Sequence, residues 1–112
     1  MSRIYHNPKC STSRKTLDLL RENGIEPEVV QYLKTPPTRA ELAAMIKAAG
    51  IDVRTAVRKR EALYTELNLA DAADEQLLDA MAEHPILIER PFVVTDKGTR
   101  LARPIDAVRE IL

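Results

Sequence analysis

The sequence predicts an α/β fold of order βαβ, a mostly helical insert, then ββα. Three observations predict it. Near the N-terminus, "RIYH" and "EVVQYL" flank a helical pattern, which is the signature of a βαβ unit. Between residues 38 and 84 apolar residues recur at helical spacing between capping signals. The last third turns to "PFVVT", "DKG" and "TRLA", a hairpin, followed by a further helical stripe.

Each element has its own local cause. Arg3 to His6 reads as a strand, and Asn7-Pro8 stops it. Thr12 to Asn23 reads as a helix, with Leu17 and Leu20 on one face and Gly24 as its C-terminal cap. Glu28 to Leu33 is the second strand, and a crossover through the helix makes the two strands parallel. "KTPPT" breaks the chain, and Thr38 with Glu41 forms a capping box for a helix from Arg39 to about Ala49. Leu42, Met45, Ile46 and Ala49 supply its apolar stripe. Asp52 is placed to cap a short helix through Val53, Ala56 and Val57, and a weaker helical piece surrounds Leu63 and Leu67. Asp74 to Glu83 is amphipathic, with Leu77, Leu78 and Met81 inward, and His84-Pro85 ends it. After the hairpin, Pro104 fits the first turn of a final helix whose Ile105, Val108 and Ile111 or Leu112 face inward.

Composition narrows the class. At 112 residues the chain has the length of one domain, and can bury a core without disulfide or metal staples. Seventeen basic residues offset seventeen acidic ones, so no global field draws it to nucleic acid or to a membrane. No apolar run approaches a membrane span, and "MSRIYHNP" lacks an apolar signal core. The single cysteine, Cys10, excludes an internal disulfide, a CxxC redox pair and a multi-cysteine zinc site. A reduced, cytoplasmic setting is the expectation.

Cys10 sits in "YHNPKCSTSRKTL", between the first strand and the first helix. An inert, buried thiol is the ordinary use of a lone cysteine. Here Lys9, Arg14 and His6 surround it with potential positive charge, and the helix N-terminus points unpaired amides at it. Both effects favour thiolate, and a protonated His6 would add to them. Ser11, Thr12 and Ser13 are good helix caps, and one of them is expected to fill that role. Farther along, "VRTAVRKRE" brings Arg54, Arg58, Lys59 and Arg60, a pattern that usually makes a solvated helical face. Arg90-Pro91 and Arg103-Pro104 bracket the hairpin and bring two guanidiniums to one sheet edge. They are either surface charges or a bidentate clamp for a tetrahedral oxyanion.

Taken together, "YHNPKCSTSRKTL", "RTAVRKRE" and "HPILIERPFVVTDKGTRLARP" resemble the glutaredoxin-coupled arsenate reductases of bacteria over essentially the whole chain. The resemblance implies a thioredoxin/glutaredoxin-like fold, with a mixed four-stranded sheet and a helical insertion at approximately 38–84 in a single domain. It implies Cys10 as the catalytic nucleophile and Arg58, Arg90 and Arg103 as ligands of the arsenic oxyanion. His6 and Ser13 would activate the thiolate, and Pro91 would carry a cis peptide bond. Arsenate would be reduced to arsenite through a covalent Cys10–arsenic adduct. Glutathione would be the reducing cosubstrate and glutaredoxin the protein partner, with no tightly bound cofactor and no metal. Two other readings of the same thiol stand beside this one. One is a glutathione-dependent oxidoreductase acting on another substrate; the other is a thioredoxin-like regulator that binds a protein.

Overall fold

The computed structural model describes all 112 residues, which form two compact units. The first comprises residues 1–35 and 90–112, and the second residues 36–89.

The first unit holds four strands, β1 (Arg3–His6), β2 (Glu28–Gln31), β3 (Phe92–Thr95) and β4 (Gly98–Leu101), in the order β2-β1-β3-β4. Helix α1 (Ser11–Glu22) links β1 to β2, and these strands pair in parallel, Ile4 opposite Val29. β3 runs antiparallel to β1, with Tyr5 opposite Phe92, and β4 antiparallel to β3. The mixed sheet is therefore the expected one. Its core joins Ile4 and Val93 of the sheet to Leu17 and Leu20 of α1, with Val108 and Ile111 from the C-terminal segment.

Two elements of this unit differ from the sequence reading. β2 ends at Gln31 rather than Leu33, because the Gln31 carbonyl accepts from the amides of Lys34 and Thr35 and turns the chain. The C-terminal helix is a 3₁₀ helix over Ile105–Ile111, and Pro104 stands before its first residue. Its inward residues Ile105, Val108 and Ile111 are spaced by three, the repeat that brings side chains into line at three residues per turn. Both Arg-Pro bonds are cis, Arg90–Pro91 as expected and Arg103–Pro104 in addition.

The second unit is helical. α2 (Arg39–Ala48) starts at the expected capping box: Thr38 Oγ1 accepts from the Glu41 amide, and the Glu41 carboxylate accepts from the Thr38 amide. α3 (Ala62–Glu66) is a short piece, and α4 (Asp74–Glu83) has the bounds the sequence suggests. α2 packs on α4, burying Leu42, Met45 and Ile46 from one and Leu77, Leu78 and Met81 from the other. Arg39 ties the two on the surface, reaching Asp79 at 2.6 Å and also Glu75. The segment after Asp52 is a 3₁₀ turn that stops at Ala56. Val57 leaves it for an antiparallel bridge with Ile88, closed by Arg58 N–H to Leu87 O and Glu89 N–H to Ala56 O, both 2.7 Å. Further 3₁₀ turns at Leu69–Asp71 and Pro85–Leu87 have no counterpart in the sequence reading.

Candidate active site

The β1–α1 loop is fixed by one asparagine. The Asn7 carbonyl accepts from the Cys10 amide at 3.0 Å, and its side-chain oxygen accepts from the Lys9 amide at 2.9 Å. The turn delivers Cys10 to the N-cap of α1 in an extended conformation, with no side-chain cap hydrogen bond. The expectation that Ser11, Thr12 or Ser13 would cap the helix is thereby corrected. The thiol itself occupies the capping position, and the hydroxyls are used elsewhere. Ser13 Oγ accepts from the Asn7 amide at 3.1 Å and lies 2.6 Å from His6 Nδ1, while Thr16 Oγ1 donates to the Thr12 carbonyl.

Cys10 is half-buried. Burial pushes its thiol up. The Ser13 amide, the Arg90 guanidinium and the Thr12 amide outweigh that and hold it below the usual thiol range. These are the second and third helical positions, whose N–H groups have no partner within the helix.

The two Arg-Pro segments meet at the same sheet edge. β1 ends there, β3 begins there and β4 ends there, as their pairings require. Arg103 donates from Nε to the Arg90 carbonyl at 2.9 Å and from a terminal nitrogen to Cys10 Sγ at 3.8 Å. Arg90 donates to the buried Tyr32 hydroxyl at 3.4 Å. Its Nε is buried with no hydrogen-bond partner. Both arginines bear on the sulfur: Arg103 lies 3.8 Å from it, and Arg90, through hydrogen bonding and its charge, lowers the thiol alongside the Ser13 amide.

His6 departs from the expectation that a protonated imidazole would help the thiolate. Burial first, then the charges of Arg21 and Arg14, push its pKa below the ordinary value, so the ring is neutral at neutral pH. A neutral ring can accept from the Ser13 hydroxyl at Nδ1, which leaves the second lone pair of Ser13 Oγ for the Asn7 amide.

Arg58 belongs to the second unit, where its Nε lies 3.2 Å from Glu61 and a terminal nitrogen 3.6 Å from Glu89. Its side chain is 11% exposed, which separates it from a solvated surface charge. Arg54 is also no surface charge: it donates to the Tyr64 hydroxyl and to the carbonyls of Leu69 and Ala72. Among the basic residues of "VRTAVRKRE", Lys59 and Arg60 match the solvated-face reading in their exposure. Sequence reasoning missed Tyr32, Asn7 and Glu89. The Asn-Pro pair announced a turn but not which of its groups would hold the loop, and nothing in the sequence pairs Tyr32 with Arg90.

The ArsC family pattern matches residues 5–111. The chain belongs to the ArsC family. It is 61% identical over 111 residues to an arsenate reductase of Rhizobium meliloti, covering 97% of this chain and 79% of that protein. It is 50% identical to an uncharacterized protein of Escherichia coli, YfgD, of which it covers 95%. A solved arsenate reductase from Vibrio cholerae superposes with a TM-score of 0.94 at 51% identity, covering 99% of this chain and 97% of that one. The four-stranded mixed sheet with its helices is the thioredoxin-like fold of ArsC structures. No helix is long and apolar enough to cross a membrane.

Proposed function

We propose that this chain is an arsenate reductase in which Cys10 is the nucleophile and glutathione supplies the electrons. The observation that carries the reading is the Cys10 sulfur at the α1 N-cap, with Arg103 3.8 Å away and the Arg90 charge beside it. Arsenate at neutral pH is a tetrahedral anion, and a thiolate approaching it meets repulsion. Guanidiniums and helix N-terminal amides offset that repulsion and stabilise charge on the oxygens. The buried, unpartnered Nε of Arg90 is a donor of the kind such an oxyanion uses. Arg58 is assigned to the same oxyanion on the family resemblance. His6 and Ser13 act by position, fixing the first turn whose amides face the sulfur.

The S–As bond forms as one As–O bond breaks, and that oxygen leaves as water. Glutathione attacks the Cys10 sulfur of the adduct: a Cys10–glutathione disulfide forms, the S–As bond breaks and its electron pair passes to arsenic, which leaves as arsenite. Glutaredoxin with further glutathione reduces that disulfide and restores the thiol. Over the cycle the arsenate dianion, two thiols and two protons give arsenous acid, one disulfide and one water. An external thiol is required because the chain has no second cysteine. A cytoplasmic setting, where glutathione is kept reduced, belongs to the same proposal.

The test is an assay of the purified protein with arsenate, glutathione, glutaredoxin and NADPH-linked glutathione reductase. Arsenate-dependent NADPH loss is expected, abolished in Cys10→Ser and reduced about 100-fold or more in Arg103→Ala. Folded protein with a reactive Cys10 but no arsenate turnover sinks the substrate assignment. Undiminished turnover in Arg58→Ala removes Arg58 from the oxyanion site.

A further inference from the structure

We propose that Glu61 and Glu89 compete with the arsenic oxyanion for Arg58, so that the chain's own carboxylates set the concentration at which the site fills. This rests on the reading of Arg58 as a ligand of that oxyanion.

All three residues belong to the second unit. The antiparallel bridge between Val57 and Ile88 brings them together. Its closing hydrogen bonds, Arg58 N–H to Leu87 O and Glu89 N–H to Ala56 O, set Arg58 opposite Leu87 and diagonal to Glu89. Arg58 and Glu89 therefore lie on one face of the ribbon, while Val57 and Ile88 are buried on the other. A diagonal pair is within reach of long side chains. Arg58 Nη1 lies 3.6 Å from Glu89 Oε2. Glu61 arrives separately, as the N-cap of α3, and its carboxylate accepts from Arg58 Nε at 3.2 Å.

Burial decides how strongly these contacts act. The Glu89 side chain is 15% exposed and that of Glu61 26%, around an Arg58 that is itself largely buried. Exposed ion pairs are screened by water and contribute little, whereas charges shielded from it attract more strongly. Two carboxylates against one guanidinium leave the group with a net negative charge. It offers an incoming anion no net attraction as it stands. The hydrogen-bonding edges are contested too. A guanidinium presents two forks, one of Nε with Nη2 and one of Nη1 with Nη2. Glu61 engages the first through Nε, and Glu89 faces the second at Nη1. An oxyanion that takes Arg58 by two parallel bonds therefore displaces one carboxylate. Orienting Arg58 is not the main role of Glu89, because a contact at 3.6 Å acts through charge rather than as a directed hydrogen bond.

The experiment measures arsenate kinetics in the full-length protein and, in Cys10→Ser protein, the binding of inorganic phosphate by titration calorimetry. Glu89→Gln and Glu61→Gln keep the shape and remove the charge. Each should lower the KM for arsenate about threefold to tenfold with little change in kcat, and tighten phosphate by a similar factor. Glu89→Asp keeps the charge and should not lower the KM. In an Arg58→Ala background the Gln substitutions should have no effect, since the competition runs through that guanidinium. If Glu89→Gln does not fold, Glu61→Gln carries the comparison. A KM and a phosphate affinity that stay unchanged in the folded Gln variants would overturn the proposal. A raised KM would overturn it as well, because it marks carboxylates that position Arg58 rather than compete for it. Impaired turnover in Arg58→Ala beside unaltered Gln variants condemns only the competition. Undiminished turnover in Arg58→Ala condemns the reading of Arg58, and the proposal with it.

Discussion

At a pH where a free cysteine is still mostly protonated, the sulfur of Cys10 faces two backbone amides and the Arg90 guanidinium. Its rate of alkylation by iodoacetamide should therefore rise and level off at lower pH than that of a free thiol, and Arg90→Ala should move the profile back upward. The linked stability has a definite sign. A thiol lowered on folding stabilises the native state above the ordinary thiol pKa, and that contribution fades as pH falls through the folded value. His6 is likewise depressed, so its contribution is present above the ordinary histidine pKa of 6.5 and is lost as the ring is forced to charge at lower pH. Urea midpoints measured at pH 7.5 and pH 5 should diverge in the wild type and draw together in His6→Gln. Much of this site was legible residue by residue, because a thiol among cations at a strand–helix junction is a local pattern. The state of His6 was not legible, since it depends on burial and on Arg21, which only the folded helix brings within range.

The elements show where local rules hold and where tertiary partners replace them. α2 and α4 carry complete signals in their own sequence, a capping box in one and an apolar stripe bounded by His84-Pro85 in the other, and both form as those signals indicate. The basic segment before α3 was misleading because charge alone does not reveal where a guanidinium points. Arg54 acts as an internal clamp for the turn Leu69–Asp71, itself too short to announce its presence in sequence. Arg54→Ala leaves the Leu69 and Ala72 carbonyls without this donor and should cost about 1–3 kcal/mol, measured by chemical denaturation. Arg60→Ala, on an exposed side chain, should cost no more than about 0.5 kcal/mol in the same measurement. The C-terminal segment carries the opposite lesson. Its apolar residues stand three apart, a spacing that an α-helix and a 3₁₀ helix share over so short a span, and the packing selects the tighter coil.

For the molecule as a whole, the order of elements and the sheet were readable because each strand and helix has its own punctuation, and parallel pairing follows from a helical crossover. That the hairpin brings Arg90 and Arg103 to one sheet edge was readable too; what no local pattern gave is that β1 brings Cys10 to that same edge. Cys10, Arg90 and Arg103 meet because β1, β3 and β4 place their ends at one edge, a fact of topology rather than of any local motif. That topology stands on a core in which Leu20 has no exposed surface. Leu20→Ala should cost about 2–5 kcal/mol in urea unfolding, a large share of the roughly 5–15 kcal/mol that holds a domain of ordinary stability.

A thiol that is itself the N-cap is faced by donors that have no side chain to lose. The amides of Thr12 and Ser13 survive every ordinary substitution at those positions, because the donor is the peptide bond itself. Proline is the one genetically encoded residue that deletes such a donor, and the first turn of a helix is where proline does least harm. Thr12→Pro is therefore a substitution aimed at the backbone chemistry of the site, whereas Thr12→Ala leaves that chemistry in place.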